Sequence, residues 1–333
     1  MADSAPQARS RKWVQRADPR ILRRLGPLIG LLGMCAILTA LSDHFLTLDN
    51  LMNIFRQSAV NVLLALGQLL VIVTAGIDLS VGSVLGLTCV IAALMMKAGF
   101  PAWVSALTAL AAGFGLGAIN GLLLTRLRLP HPFIPTLGMM NVARGLALAV
   151  SGGFPISGLP DSFRWLGAGR IAFVPAPVIL VLVVCAVFHF FLTRTTAGRD
   201  IYAIGGNKQA AILSGIPVNS RLTMVYAVSG AVAGLAGIVQ AGRMNSGYPL
   251  AGSGAELDSI AAVIIGGASF FGGVGSVSGT LVGALIIGVL RNGLNLLDVS
   301  PYWQTVVIGA VIVMAVWIDV LRQRSGAKAV RKA

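Results

Sequence analysis

Charged residues are scarce in this 333-residue chain, and acidic residues are the scarcest. Only 11% of the residues are charged, and aspartate and glutamate together number 11, whereas soluble domains carry about 25% charged residues. Hydrophobic residues make up 56% of the chain, and the mean hydropathy is +0.86. This composition excludes an ordinary soluble domain and indicates an integral membrane protein.

Cysteine and histidine are also rare, at three residues each. Cys35, Cys89 and Cys185 all lie in apolar stretches, so they suggest neither a disulfide framework nor a metal site. The histidines are scattered, and the sequence has no HExxH motif and no Cys/His spacing typical of zinc sites. We therefore predict no catalytic residue and no metal ligand, which argues against an intramembrane enzyme.

A phosphate-binding loop is missing as well. The sequence contains neither GxxxxGKS nor GxxxxGKT, and GGNKQA at residues 205–210 does not match that pattern. The sequence also lacks the several buried acids that form a proton relay in many secondary transporters. The chain is thus expected to bind no ATP or other cofactor itself and to take energy from a partner.

Long apolar stretches are plentiful instead. The hydrocarbon core of a bilayer is about 30 Å thick and needs about 20 apolar residues in a helix. Ten stretches approach this length, which predicts an all-α membrane protein with about ten transmembrane helices. Their approximate bounds are 25–42, 51–75, 80–97, 102–124, 133–151, 174–192, 220–241, 254–271, 276–296 and 302–320.

The net charge of +14 is concentrated in the tails and in alternate loops. Such a charge would suggest nucleic-acid binding in a soluble chain, but in a membrane protein Lys and Arg collect in cytoplasmic segments. The distribution predicts an even number of spans and two cytoplasmic termini. It divides the chain into a basic tail at 1–24, a transmembrane domain at 25–321 and a basic tail at 322–333. Because further spans follow, the first stretch is predicted to be a retained span and not a signal peptide.

Glycine-rich breaks interrupt the apolar pattern in two places. Gly76–Ser80 precedes VGSVLG at 81–86, and Gly266–Gly273 precedes VGSVSG at 274–279. The similarity of the two hexapeptides, together with the equivalent position of the two breaks in the predicted topology, indicates a parallel internal repeat with broken helices. Glycines four residues apart, as in 113–121, predict close packing between helices.

Asp78 is the one carboxylate placed well away from a charged flank. Because an ionised Asp is costly in hydrocarbon, its side chain is expected to face protein or water. It either caps a helix that begins near Leu79 or accepts hydrogen bonds beside a substrate path. Other polar residues in the spans could line such a path or join helices to each other. The candidate path residues are Gln68, Asp78, Ser80, Asn120, Asn141, Asn292 and Asn295.

A polar insert within residues 193–221 separates two long apolar stretches. Gly205 and Gly206 are predicted to break the chain, Asn207 to cap a short helix, and Gly215 to end it before Pro217. Isolated helices need about 12–15 residues, so this helix must be held by packing. Its flanking basic residues place it on the cytoplasmic side, where we expect a partner outside the membrane to dock.

Four motifs together resemble the ribose-type permeases of bacterial ABC sugar importers. They are GIDLSVGS, AIGGNKQAAILSGI, ELDSIAAVIIGGASFFGGVGS and GLNLLDVSPYWQ, in the same order, within a resemblance that runs from about Leu46 to Leu321. The resemblance implies an inner-membrane permease for a monosaccharide or related polyol. It also implies a second permease copy, a cytoplasmic ATPase that binds ATP and Mg, and a periplasmic sugar-binding protein.

By the same resemblance, residues 205–216 look like the coupling segment that enters a groove on the ATPase. Lys208 and Gln209 stand where the family often has acidic residues, which leaves the polar contacts of this docking open. The candidate coupling residues are Gly205, Gly206, Asn207, Lys208, Ala210, Ala211, Leu213, Ser214, Gly215 and Ile216.

Two other transport classes stay open. A related ABC permease for branched-chain amino acids is disfavoured by the sugar-family motifs, and a secondary sugar transporter would need no ATPase. The sequence does not name the substrate. Ribose, xylose, another aldose, a furanosyl signal molecule and a cyclic polyol such as inositol all fit, since selectivity can reside in the binding protein.

Overall fold

The computed structural model describes residues 19–330, with side chains for 26–321. This part of the chain forms thirteen helices and two small two-stranded sheets. The helices are α1 Pro19–Leu41, α2 Leu48–Val73, α3 Val81–Lys97, α4 Ala102–Arg126, α5 Phe133–Ser151, α6 Asp161–Ala168, α7 Ala176–Arg194, α8 Thr196–Gly206, α9 Lys208–Leu213, α10 Val218–Met244, α11 Ala255–Ile265, α12 Val277–Leu296 and α13 Pro301–Val330. The strands are β1 Ile156–Ser157, β2 Arg170–Ile171, β3 Val174–Pro175 and β4 Ser246–Gly247.

The fold is all-α, as the composition predicts. Within the described range, seven helices are long and apolar enough to cross a membrane, namely α2, α4, α5, α7, α10, α12 and α13 up to Leu321. The apolar parts of α1 and α3 are shorter, at Gly26–Leu41 and Val81–Lys97. Nine of the ten predicted stretches therefore correspond to one apolar helix each.

The predicted span at 254–271 is wrong as a full span. α11 has only 11 residues, which rise about 16 Å at 1.5 Å per residue and cover about half of the hydrocarbon core. The irregular segment 266–276 follows it. Gly267, Gly272 and Gly273 all have positive φ there, a backbone conformation that a regular helix does not contain.

α2 and α10 form the centre of the helix bundle. In their most apolar windows, 83% and 72% of the residues are buried, against 11% in α13. A helix that is apolar on all sides is either buried by other helices or exposed to lipid. α2 and α10 are of the first kind, because other helices surround them. α4 packs closely on α10, since a side-chain carbon at Gly113 or Gly117 would overlap the α10 backbone. The predicted close packing of these glycines is confirmed.

The two helices that precede the predicted breaks, α2 and α11, end in the same way. After α2, the N–H groups of Ala75 and Gly76 donate to carbonyls of the last helical turn, and after α11 those of Gly267 and Ala268 do the same. This is the Schellman arrangement, with Ala75 and Gly267 at φ of +60° and +93°. The two breaks therefore share their geometry, but the matched hexapeptides do not, since 81–86 lie in the first turns of α3 whereas 274–276 precede α12.

The connection between α5 and α7 contains more structure than the sequence indicates. α6 lies within it, and β2 pairs with β3 antiparallel. β1 pairs antiparallel with β4, with Ile156 opposite Gly247 and Ser157 opposite Ser246. This pairing fastens the connection to the end of α10.

Candidate functional site

The predicted coupling segment contains two helices. The Thr195 side chain accepts from the Gly198 N–H and caps α8, which continues through Gly205 and Gly206. The prediction that these two glycines break the chain is therefore wrong. The chain turns at Asn207, whose Oδ1 accepts from the N–H of Ala210, the third residue of α9, at 3.0 Å, which confirms the predicted N-cap.

The C-terminal end of α9 also has the predicted geometry. Gly215 has φ of +79°. Its N–H donates to the Ile212 carbonyl at 3.0 Å, and the Ile216 N–H donates to the Ala211 carbonyl at 3.1 Å. This is a Schellman arrangement with glycine at C′, where a residue with a side chain would be strained.

One face of α9 is packed and the other is exposed. Ala211 is buried against Ile204, Val218 and Leu222, which gives this six-residue helix the packing that it needs. Leu213 is 89% exposed. The remaining exposed residues are Lys208, Gln209, Ala210, Ile212 and Ser214. Ala211 thus holds the helix on its own chain, and Leu213 is available to a partner.

α8 is packed tightly against both membrane breaks. A side-chain carbon at Gly205 would overlap the Val73 carbonyl oxygen and lie 2.5 Å from the Gly273 nitrogen. The Gly273 N–H donates to the Val73 carbonyl at 2.9 Å, so the two breaks meet on one side of the bundle. Tyr202 Oη donates to the Gly275 carbonyl at 2.8 Å. A displacement of α8 would therefore be passed to both breaks.

Four of the seven candidate path residues meet in one cluster at the first break. Asp78 Oδ1 accepts from the N–H and Oγ of Ser80 at 3.0 and 2.6 Å, and Oδ2 accepts from Ser229 Oγ of α10 at 3.1 Å. Asn120 of α4 donates to Ser80 Oγ at 2.9 Å. The side-chain amide of Gln68 on α2 donates to the Asp78 carbonyl and accepts from the Asp78 N–H, both at 3.2 Å.

The position predicted for Asp78 as a helix cap is wrong. α3 begins at Val81 with Ser80 at the N-cap, so Asp78 lies outside the helix and satisfies the N–H of the N-cap residue. The four path residues in this cluster are each at most 1% exposed. The cluster is closed to solvent in this conformation, and it joins the break to α2, α4 and α10.

The other candidate path residues lie elsewhere. Asn141 is exposed on α5 and donates to a carbonyl of its own helix at 3.0 Å. Asn292 of α12 and Asn50 of α2 exchange amide hydrogen bonds at 2.7 and 3.1 Å. Asn295 accepts from Gln304 of α13 at 2.7 Å. The contacts of Asn292 and Asn295 match the alternative in which such residues join helices, whereas that of Asn141 stays within α5, and the three residues are not brought together.

A polar cavity of about 290 Å³ lies between α2, α10, α11 and α12. Arg291 Nη2 and Asp258 Oδ2 form an ion pair of 2.6 Å on its wall. Ser58, Asn61 and Gln240 also line it, and their side-chain oxygens are buried without a hydrogen-bond partner in the described part of the chain. Because buried polar atoms are normally paired, these oxygens mark a place for a ligand or for water.

Sequence reasoning missed these cavity residues. Ser58, Asn61 and Gln240 are polar residues among apolar neighbours, the same signal that singled out Gln68. Arg291 lies within α12, inside the predicted stretch 276–296. The periodicity of single helices cannot show that α2, α10 and α12 bring these side chains to one cavity.

Residues 50–316 match the protein family described as branched-chain amino acid transport system / permease component. The chain belongs to this permease family. The ribose import permease protein of Escherichia coli strain K12 is 46% identical over 300 residues, which cover 89% of this chain and 93% of that protein. The D-allose transport system permease protein of the same strain is 44% identical over 286 residues, covering 85% and 87%. The xylose transport system permease protein is 35% identical over 342 residues, covering 84% and 87%.

No solved structure matches the permease. The sequence relatives confirm the resemblance to ribose-type permeases, and together with the apolar helices they identify a multi-pass protein of the bacterial inner membrane.

Proposed function

We propose that this permease is the membrane subunit of an ATP-driven importer for a monosaccharide or a related polyol. The relatives that match most of its length are named for ribose, D-allose and xylose, which favours a sugar. The family description names branched-chain amino acids, so an amino-acid permease is the second candidate.

In this proposal a cytoplasmic ATPase binds ATP and Mg²⁺, and a periplasmic protein delivers the solute to a pair of permease copies. The absence of a phosphate-binding loop from the sequence supports a separate ATPase. The basic tails and the basic flanks of the insert support cytoplasmic termini and a cytoplasmic α9.

The exposed apolar side chain of Leu213 carries the coupling proposal. It is 89% exposed on a short helix whose other face is buried against the chain. Its neighbour Ile212 is 48% exposed as well, and contiguous exposed apolar surface marks an interaction site. Since α8 contacts both breaks, a docked ATPase that moves α8 would shift the population between outward and inward openings of the paired permeases.

Leu213→Ser tests this coupling contact. Removing an apolar anchor should weaken ATPase association about tenfold, which corresponds to about 1.4 kcal/mol, and should reduce ATP-driven uptake with it. Leu127→Ser is the matched control, because Leu127 is 64% exposed at the end of α4, on the side that we predict to be cytoplasmic. Recovery of the ATPase with each purified variant measures the difference. Wild-type recovery and uptake in Leu213→Ser would refute the coupling role.

Uptake by the complete importer in proteoliposomes separates the two candidate functions. We expect ATP-dependent uptake of at least one of labelled D-ribose, D-allose, D-xylose, D-galactose and myo-inositol, and no uptake of L-leucine. Uptake of L-leucine without any sugar would establish the amino-acid alternative. Sugar uptake that is abolished by an uncoupler and needs no ATPase would favour a secondary transporter.

A further inference from the structure

We propose that the polar cavity between α2, α10, α11 and α12 is a binding site for an uncharged polyhydroxylated solute inside each permease copy. Asn61 and Gln240 are its specificity-determining residues, and they accept hydrogen bonds from hydroxyl groups of the solute. This inference rests on the proposed function, and it adds a site that lies apart from the buried cluster around Asp78.

Three oxygens without partners carry the inference. Ser58 Oγ and Asn61 Oδ1 on α2, and Gln240 Oε1 on α10, are buried and find no hydrogen-bond partner among the described residues. Ser58 is only 2% exposed as a whole residue. All three residues line one cavity, and such unpaired groups are rare in native structures unless a ligand or water satisfies them.

The cavity also offers a hydrogen-bond donor. Arg243 lines it near the end of α10 and has no ion-pair partner in the part of the chain that the structure describes. Arg291 is engaged by Asp258 at 2.6 Å. A hydroxyl group both donates and accepts, so a solute with several hydroxyls can satisfy the three oxygens and also accept from Arg243.

The same groups disfavour other solutes. The primary amides of Asn61 and Gln240 each carry a donor and an acceptor, and a hydroxyl group can pair with either one. The ammonium group of an amino acid would need a free carboxylate, and Asp258 is already paired with Arg291. The donor and acceptor pattern therefore matches a neutral sugar or cyclic polyol better than an amino acid.

Size and position agree with a small solute that enters from outside. A volume of about 290 Å³ is at the lower end for small-molecule sites. The cavity lies beside the outer half of α2, the end of α10 and the start of α11 in the predicted topology, where a periplasmic binding protein would release its cargo.

The experiment compares Asn61→Leu and Gln240→Met with the wild-type importer, complete with its ATPase and binding protein, in proteoliposomes. Both substitutions keep the approximate size of the side chain and remove the acceptor. Asn53→Leu is the matched control, because Asn53 is exposed on the same helix and does not line the cavity. Uptake is measured for labelled D-ribose, D-allose, D-xylose, D-galactose and myo-inositol, and for monodeoxy analogues of the solute that is transported.

We expect each cavity variant to lower sugar uptake at least tenfold, while ATPase recovery and stimulated ATP hydrolysis stay within twofold of wild type and Asn53→Leu transports normally. One deoxy analogue lacks the hydroxyl that the altered residue binds. For this analogue, the variant and the wild type should show similar uptake, because the hydrogen bond is absent in both.

Two results would overturn the inference and leave the proposed function intact. One is wild-type sugar uptake by both cavity variants. The other is a loss that is equal for the parent sugar and for every deoxy analogue, since a purely structural effect would not depend on the hydroxyl. Failure of the proposed function looks different, because the wild-type importer would then transport L-leucine and neither a sugar nor a cyclic polyol.

Discussion

Gly205→Ala should disturb the contact between α8 and the two membrane breaks. The added carbon would overlap the Val73 carbonyl oxygen and lie 2.5 Å from the Gly273 nitrogen, whereas real contacts of this kind are essentially never under 3.0 Å. Both neighbours are backbone atoms, so relief of the Gly273 contact alone needs a separation of about 0.5 Å, and the deeper overlap with the Val73 oxygen needs more. Overpacking of this kind typically costs about 1–3 kcal/mol.

Gly206→Ala is the matched control for this perturbation. It is the next residue of the same helix, and an added carbon there would meet nothing within 4 Å. Both changes raise the helix propensity by up to about 1 kcal/mol, so the difference between them isolates the clash. Thermal unfolding of the purified complex should give a lower midpoint for Gly205→Ala, and ATP hydrolysis should be less tightly coupled to uptake. Equal midpoints and equal coupling in the two variants would refute the reasoning.

Three further predictions follow from the same structure. In a cysteine-free variant, a cysteine at position 210 should be labelled only from the cytoplasm and one at Ser157 only from the periplasm; periplasmic labelling at Ala210 would contradict the predicted topology. Asp78→Asn keeps an acceptor and should remain folded in the membrane. Asp78→Leu leaves three donors unpaired, at a cost of about 1–3 kcal/mol each, and the protein should be lost from the membrane. If folded Asp78→Asn complexes do not transport, the negative charge of Asp78 is required. Ala211→Trp overfills a buried site, and Gly215→Val forces a positive φ at about 1–2 kcal/mol, so both should release α9 and reduce ATPase recovery. Wild-type recovery and uptake in both variants would exclude α9 as the coupling contact.

Local sequence signals predicted the ends of α9 well, because capping depends on one or two residues. Asn207 and Gly215 have the geometry that their side chains favour. The same reasoning was wrong about Gly205 and Gly206. Gly205 is needed because Val73 and Gly273 approach it closely, and this contact comes from segments distant in the chain.

The amino-acid sequence by itself determined the membrane class, nine apolar helices, the two breaks and the family, since hydropathy, glycine placement and motif order are properties of the chain alone. Only the tertiary structure decided which polar residues meet. Gln68, Asp78, Ser80 and Asn120 close on one another in a buried cluster, while Ser58, Asn61 and Gln240 face a cavity with unpaired oxygens. A polar residue inside an apolar helix looks the same in the sequence in both cases, because its partners are supplied by helices far away along the chain.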